Sequence, residues 1–494
     1  MNSNIKKSIN ILWFKRDLRL TDHLPLKEAL LSRKDGERVP LLMIYCFEPS
    51  LVSNQNYSER HWNFVNESLE DLNQRLKSSN SRSLDNPQFA KIWIFNDEVQ
   101  NVFESIHSEF RINEIYSHQE TGIRLTYERD KAIVKFCKKQ GIKWNEYQSN
   151  GIIRGLKNRK EWTSLWFKMV QEPLWKADLS EWIAPEVSTS WFEKVKGKVW
   201  PVGSDSILPS VQHGGETWGV KYLNSFVQDR IINYDKHISK PLESRKSCSR
   251  LSPYLAWGCL STRQVYQSYS NPNRSGHRVT SRLFIERLRG QNYFVQVFES
   301  DDSMEFENVN KEFDTIKRIE NQEFFNAWKN GTTGYPLVDA SMRCLNSTGY
   351  LNFRMRALLV SFLTHHLFQD WKEGAFHLAR QFTDFEPGIH YSQFQLQIGM
   401  FGSEKQPIRI YNPTKQAIEH DPEGIFIKTW IPELKNCPIA CIHSPWKMSN
   451  LEQELYDCRI GKDYPYPIID AVKAAAFAKS ELYPIRSFYK KFPK

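Results

Sequence analysis

The sequence predicts an α/β amino-terminal domain on a parallel, Rossmann-like sheet, followed by an all-helical carboxyl-terminal domain. Three observations carry that reading. Apolar, partly β-branched runs alternate with polar, helix-like segments over the first 150 residues. Between about 150 and 215 the periodicity is lost, and Trp, Pro, Ser and Lys dominate. From about Thr217 the apolar spacing is helical almost to the end. Strand–helix alternation of this kind buries a parallel sheet between helices on both faces.

The strand-like runs are residues 9–14, 39–47, 91–95, 112–117 and 142–147. Between them, residues 58–77 place Trp62, Val65, Leu69, Leu72 and Leu76 at spacings of three and four, the signature of one helical face. Ser58 and Glu59 mark its start. Residues 124–140 read as another helix. No G-x-G-x-x-G and no G-x-x-x-x-G-K-[ST] occurs here, which excludes a standard dinucleotide or P-loop site. The Pro, Gly and Ser of 201–215 mark a connector. The expected organisation is an α/β domain over 1–148, an interdomain link over 149–215 and a helical domain over 216–494. Within the last, 338–345 and 352–368 read as two buried helices, the second almost wholly apolar after its arginines.

Composition narrows the class. The chain has 494 residues, 40% hydrophobic and 25% charged, so it is neither disordered nor collagenous. No run approaches the roughly 20 apolar residues that span a bilayer, and the amino terminus lacks the features of a secretory signal. Eight cysteines are too few for a disulfide scaffold, which points to a reducing, cytoplasmic setting. A net charge of +10 permits a polyanionic partner. The 13% aromatic content suits a large planar cofactor or base stacking as well as core filling.

Four clusters carry chemistry. The first, Trp13-Phe14-Lys15-Arg16-Asp17-Leu18-Arg19-Leu20-Thr21-Asp22, follows the first strand, where open α/β sheets place ligands; the competing reading is a solvated salt-bridge cluster. The second, Cys248-Ser249-Arg250-Leu251-Ser252-Pro253-Tyr254, sets hydroxyls at a helix start, suited to phosphate oxygens or to ordinary capping. The third is residues 334–343 followed by Asn352-Phe353-Arg354-Met355-Arg356, where an arginine opening an apolar helix needs a buried partner. The fourth, Asp384-Phe385-Glu386-Pro387-Gly388-Ile389-His390-Tyr391, offers carboxylates and a histidine for it. A buried Arg–Asp pair is costly, and it is best understood beside a cofactor whose charge changes. His365 and His366 read as core histidines. Cys437, Cys441 and Cys458 lack the paired spacing of a metal site, so no metal is expected.

Taken in order, residues 13–22, 249–261, 334–343, 354–363 and 409–414 resemble the photolyase/cryptochrome family of flavoproteins, over 11–446. The resemblance implies FAD held in the helical domain. It also implies an antenna chromophore of folate or deazaflavin type in the α/β domain, and UV-damaged DNA as partner. In that family the flavin does the redox chemistry while the protein binds and orients, and a flipped lesion enters the pocket. Carried over position by position, Tyr234, Cys248, Ser249, Arg250, Leu251, Ser252, Gln291, Phe353, Arg356, Asp384, Glu386 and His390 contact FAD. Arg356, Asp384, His390 and Trp371 serve catalysis. Arg245, Arg287, Arg289 and Gln416 meet DNA. The protein is expected to be monomeric and not membrane-bound.

The chain departs from the family pattern at several positions. Cys248 stands where Thr is common, and Glu386 where many members have Asp. His390 falls opposite the flavin N5, where repair enzymes often have Asn; its charge near neutral pH would tune the flavin. Gly290 replaces the Trp on which a pyrimidine dimer packs. Asn352-Phe353 replaces the tandem His of enzymes repairing the (6-4) photoproduct. Trp371 matches the middle of the electron-transfer chain, but Phe394 and Arg318 occupy its other positions, which points to Tyr391 or Trp328 as another route. A DNA photolyase is the leading expectation, supported by the basic charge and by the absence of a long tail after the last helical segment. A cryptochrome-type photoreceptor is the alternative, and a light-independent redox or nucleic-acid-binding flavoprotein a third class.

Overall fold

The computed structural model describes residues 6–79, 87–198, 211–270, 278–400 and 408–486. Strands β1 (Ser8–Phe14), β2 (Leu41–Cys46), β3 (Ile92–Phe95), β4 (Arg111–His118) and β5 (Lys143–Tyr147) form a wholly parallel sheet in the order β3-β2-β1-β4-β5. The five apolar runs of the sequence land on these strands. Helices α1 (Leu24–Leu31) and α2 (Glu59–Ser79) cover one face; α3 (Val99–Glu109) and α4 (Arg124–Gln140) cover the other. Leu12 and Phe14 pack with Leu26, Val65, Leu69 and Leu72. Ile9, Ile11 and Trp13 pack with Val102, Phe103, Ile106 and Ile133. Alternate residues of β1 thus feed two separate cores, which is why a central strand reads as an unbroken apolar run.

α2 begins at Glu59, at the start read from Ser58 and Glu59; the Ser58 hydroxyl donates to the Arg380 carbonyl at 2.7 Å, and the His61 ring accepts the Ser58 N–H at 3.0 Å. One local expectation changes. The stretch read as aperiodic contains α5 (Trp162–Gln171), whose Trp162, Trp166 and Val170 recur every fourth residue and are buried. The tryptophans that gave the segment its odd composition are its packed face. Further on, the Trp182 indole donates to the Leu41 carbonyl at 2.8 Å and Leu41 N–H to Ile183, strapping the chain along β2. Residues 201–210 of the expected connector lie outside the described residues.

Beyond residue 148 the described residues form no β-strand. The elements that position the site are α6 (Glu216–Gln228), α7 (Arg278–Ser300), α8 (Pro336–Thr348), α9 (Phe353–Ser361), α10 (Trp371–Gln381) and α11 (Pro387–Ile398). The helix expected over 352–368 is α9 continued by a π-helical turn, Phe362–His366. His365 is buried in that turn, between the Ser361 hydroxyl and the Ile398 carbonyl.

Residues 13–22 form the joint between the α/β and helical regions. Arg16 donates to the carbonyls of Ala256 and Phe385 and pairs with Glu386 at 3.0 Å. Arg19 donates to the Gly258 carbonyl, Glu216 accepts Leu20 N–H, and Asp22 pairs with Arg263 at 3.1 Å. Gly258 (φ +68°) touches the Arg16 backbone so closely that a Cβ would lie 2.1 Å from its carbonyl oxygen, so only glycine fits there.

Candidate functional site

The strand order reverses between β1 and β4, the usual ligand crevice of such sheets. Here the crevice is filled by charge pairs. Lys15 binds Asp130 at 2.7 Å, and Arg129 reaches Glu48, Glu120 and Asp130 at 2.7–2.9 Å. The Lys15 ammonium also lies over the rings of Trp13 and Trp144. Asp17 receives the rings of His23 (3.0 Å) and His118 (2.7 Å), and its carboxyl is held well below the usual range by both despite its burial. This trio has metal-like spacing, but the hydrogen bonds argue against a metal. His23 Nδ1 accepts the Leu26 N–H at 3.1 Å, so its proton sits on Nε2, where a metal would need the lone pair.

The second cluster is built differently. Arg250 sits at φ +57° and is buried, with its guanidinium 3.8 Å above the Tyr350 ring. Gln212 clamps it, accepting from Nε at 3.0 Å and donating to the Arg250 carbonyl at 2.9 Å. Arg230 donates to the carbonyls of Tyr222, Cys248 and Ser249. Arg245 donates to the Tyr350 carbonyl and the Thr348 hydroxyl. None of the three has a carboxylate partner among the described residues. Burial pushes the pKa of Arg230 and Arg250 down, as expected for cations without a counter-ion. Such a nest calls for an anion. Ser249 and Ser252 flank Arg250 in the chain, and Tyr234 packs on Phe226 and Phe284; these cations and hydroxyls are groups that could hold the diphosphate of FAD. The Cys248 thiol, pushed up to about 12 by burial, stays neutral.

Arg356 and Asp384 meet as expected. Both carboxylate oxygens accept from Nη2, at 2.7 and 3.0 Å; Nε is fixed by the Leu351 carbonyl and the guanidinium lies 3.8 Å over Phe382. Glu386, two residues on, instead turns to Arg16. Burial pushes its carboxyl up to about 7, and its Oε1 is buried without a partner. His390, in the first turn of α11, donates Nε2–H to the Ala375 carbonyl at 2.9 Å. Since a carbonyl only accepts, Nδ1 is bare. Burial pulls the ring down to about 4, so it is neutral near pH 7. That corrects the expectation of a charge on His390 at neutral pH. Trp371 lies one ring beyond Phe394 (6.3 Å), which in turn lies 5.1 Å from His390. Arg318 donates to the Thr364 carbonyl.

The residues expected at DNA divide. Arg287 lies 5.1 Å over the ring of Phe353, a residue expected at FAD and itself exposed; Arg354 lies on the same ring at 5.2 Å and donates to the Tyr411 hydroxyl at 3.1 Å. Gly290, one turn along α7 from Arg287, faces open space. Gln291 is half-buried next to it. By contrast Arg289 is held by Glu286 at 2.6 Å, Gln416 is buried against Glu419, and Arg245 belongs to the anion nest. Arg230, Gln212 and Tyr350 were missed by sequence reasoning, because nothing in their local pattern marks residues separated by eighteen to about a hundred positions as neighbours.

Residues 10–159 match the DNA photolyase domain profile, and 284–483 match the FAD binding domain of DNA photolyase. The chain is 27% identical to a deoxyribodipyrimidine photo-lyase of Alkalihalophilus pseudofirmus, over 96% of this chain and 98% of that one. It is 29% identical to a cryptochrome DASH of Synechocystis, over 93% and 95%. The solved structure of a Synechocystis cryptochrome superposes with a TM-score of 0.84 at 25% identity, covering 96% of this chain and 99% of that one.

Proposed function

Because the chain belongs to the photolyase and cryptochrome family of flavoproteins, we propose that it is a deoxyribodipyrimidine photo-lyase that repairs UV-induced pyrimidine dimers under blue light. One observation carries this reading. The first turn of α9 bears both Arg356, paired with Asp384, and the exposed Phe353 between Arg287 and Arg354. One helical turn rises only about 5.4 Å, so a base stacked on Phe353 lies close to whatever Arg356 serves.

Bound, reduced FAD supplies the light-driven electron. Arg230, Arg245 and Arg250 hold its diphosphate, with Tyr234, Ser249, Ser252 and Gln291 around it. Arg356 offsets negative charge on the flavin in a low-dielectric setting, and Asp384 keeps the guanidinium in place. The bare Nδ1 of His390 accepts a hydrogen bond from the flavin side. Phe353 stacks an extruded base, worth roughly 1–3 kcal/mol, while Arg287 and Arg354 meet phosphates.

A cryptochrome-type photoreceptor is favoured by one feature, the open space at Gly290 where a dimer clamp is expected. Blue-light irradiation of the reduced, FAD-loaded protein decides between them. The substrates are oligonucleotides with one cyclobutane or (6-4) lesion, single- or double-stranded, with dark controls. Light-dependent repair supports the photolyase. No repair of any lesion by a protein whose flavin still responds to light supports the photoreceptor.

A further inference from the structure

The ring contacts of His390 are Phe394 (5.1 Å), Phe385 (5.2 Å), Tyr391 (5.3 Å) and Phe382 (6.5 Å). Phenylalanine is very hard to oxidise. Among the described residues, Tyr391 is therefore the readily oxidised aromatic ring in direct contact with His390. Trp371 lies one ring further out, 6.4 Å from Tyr391, and Trp328 packs instead on Phe325 and His377.

A phenol gives up an electron easily only if its proton can leave as well. Tyr391 is fully buried, and its hydroxyl donates to Asn56 Oδ1 at 2.5 Å. Asn56, also fully buried, donates Nδ2–H to Glu305 Oε1 at 3.3 Å. The other oxygen of Glu305 accepts the Arg124 backbone N–H at 2.9 Å, and the Arg124 side chain pairs with half-exposed Asp302 at 3.1 Å. A line of donors and acceptors thus runs from the neighbour of His390 across the joint toward the surface.

We propose that Tyr391 is the electron donor to the photoexcited, oxidised flavin, its phenolic proton passing through the Asn56 amide to Glu305. The inference rests on the flavin-binding reading above. In the forward step the phenol O–H breaks, one electron goes to the flavin, and the proton goes to Asn56 Oδ1 while an Nδ2 proton of Asn56 moves to the Glu305 carboxylate. An external thiol then gives one electron through Trp371 to the tyrosyl radical and its proton to solvent, two thiyl radicals pairing as a disulfide; Glu305 returns its proton along the same line, which restores the phenol and the Asn56 amide. Burial lifts Glu305 to about 7, opposed by the Arg124 backbone and the Asn56 amide and reinforced by Asp302, so a carboxylate able to take the proton is present at neutral pH. The other ionisable groups next to Tyr391 among the described residues are His390, whose ring lies 5.3 Å away, and Tyr57, which itself faces Arg16, Glu120 and Glu386.

The test follows flavin reduction by transient absorption and radicals by electron paramagnetic resonance, in oxidised FAD-loaded protein under blue light with a thiol. Expected are a neutral tyrosyl signal in the parent protein, its loss in Tyr391→Phe, and reduction slowed by about tenfold or more. Asn56→Leu should slow reduction and remove its solvent-deuterium effect. Phe394→Trp added to Tyr391→Phe should restore reduction, which shows that the variant folds and binds flavin. In flavin-free protein, infrared titration should show a carboxyl with a midpoint near pH 7 that Glu305→Gln removes. Reduction of Tyr391→Phe at the parent rate, or a titration near neutrality from which Glu305→Gln removes no carboxyl, overturns the inference. Loss of light response in the parent and in every variant overturns the flavin-binding reading itself.

Discussion

Two buried clusters of arginine and lysine sit in this molecule, and they obey opposite rules. At the carboxyl ends of β1 and β4, Lys15 and Arg129 are matched by Asp130, Glu48 and Glu120. In the helical region, Arg230, Arg245 and Arg250 meet carbonyls, hydroxyls, a thiol, an amide and aromatic faces, and no carboxylate among the described residues. The first cluster is complete and acts as structure. The second has no anion among the described residues, and we propose it as the place for a ligand. The difference teaches that burial of charge does not identify a site; the absence of the opposite charge does.

The comparison is broken most directly by removing one cation from each cluster. Arg129→Ala strands the buried carboxylates of Glu48 and Glu120, while Asp130 keeps Lys15, and should cost about 3–5 kcal/mol of stability, read by chemical denaturation of the flavin-free protein. FAD content per folded molecule should stay unchanged, and a loss of it would mean that the first cluster also serves the ligand. Arg250→Met should do the reverse. Removing a charge-assisted contact worth about 1.5–3 kcal/mol weakens FAD retention by roughly ten- to a hundredfold in equilibrium dialysis, with little change in the stability of the flavin-free protein.

Acid sharpens the contrast. Burial pulls His118 to about 3 and His61 to about 4, and both lie at or near the joint. Each is depressed from about 6.5 when unfolded, so the unfolded chain binds more protons between those values. Stability is therefore full above pH 6.5 and falls as pH drops toward 4, by up to about 1.4 kcal/mol per pH unit for each histidine. Among the described residues, no histidine contacts Arg230, Arg245 or Arg250. FAD bound per folded molecule should hold through this window while the unfolding free energy declines, and parallel losses would contradict the separation. The smallest effect is at His390. Being neutral above about 4, it should leave the flavin spectrum flat from pH 6 to 9, in the parent and in His390→Asn alike. A titration in that range, absent from the variant, would restore a charged His390.

Much of this was legible in the sequence, for reasons that differ by region. The strands could be read because side-chain alternation and β-branched runs are local, and α2 because its apolar residues fall at helical spacing. That an arginine opening an apolar helix pairs with a carboxylate of 384–391 was legible from the pattern, while the particular pair, Arg356 with Asp384, was what the family resemblance implied. The segment over 149–198 was misjudged because tryptophan dominates its composition while only its spacing reveals the helix. Residues 13–22 could be read either as a ligand site or as a salt-bridge cluster. They are a buried joint, since their partners Ala256, Gly258, Arg263 and Glu386 lie more than two hundred positions away.

By itself, then, the sequence determined the order of strands and helices, the absence of a phosphate-binding glycine loop in the first domain, and which residue types were available for chemistry. Those properties depend on neighbours along the chain. Only the tertiary structure decided which buried cations found carboxylates, that Glu386 faces Arg16, that His390 is neutral with a bare Nδ1, and that Tyr391 is wired to Asn56 and Glu305. Each of these depends on desolvation and on contacts between distant segments, because the free energy of a buried charge or proton is set by what surrounds it in space.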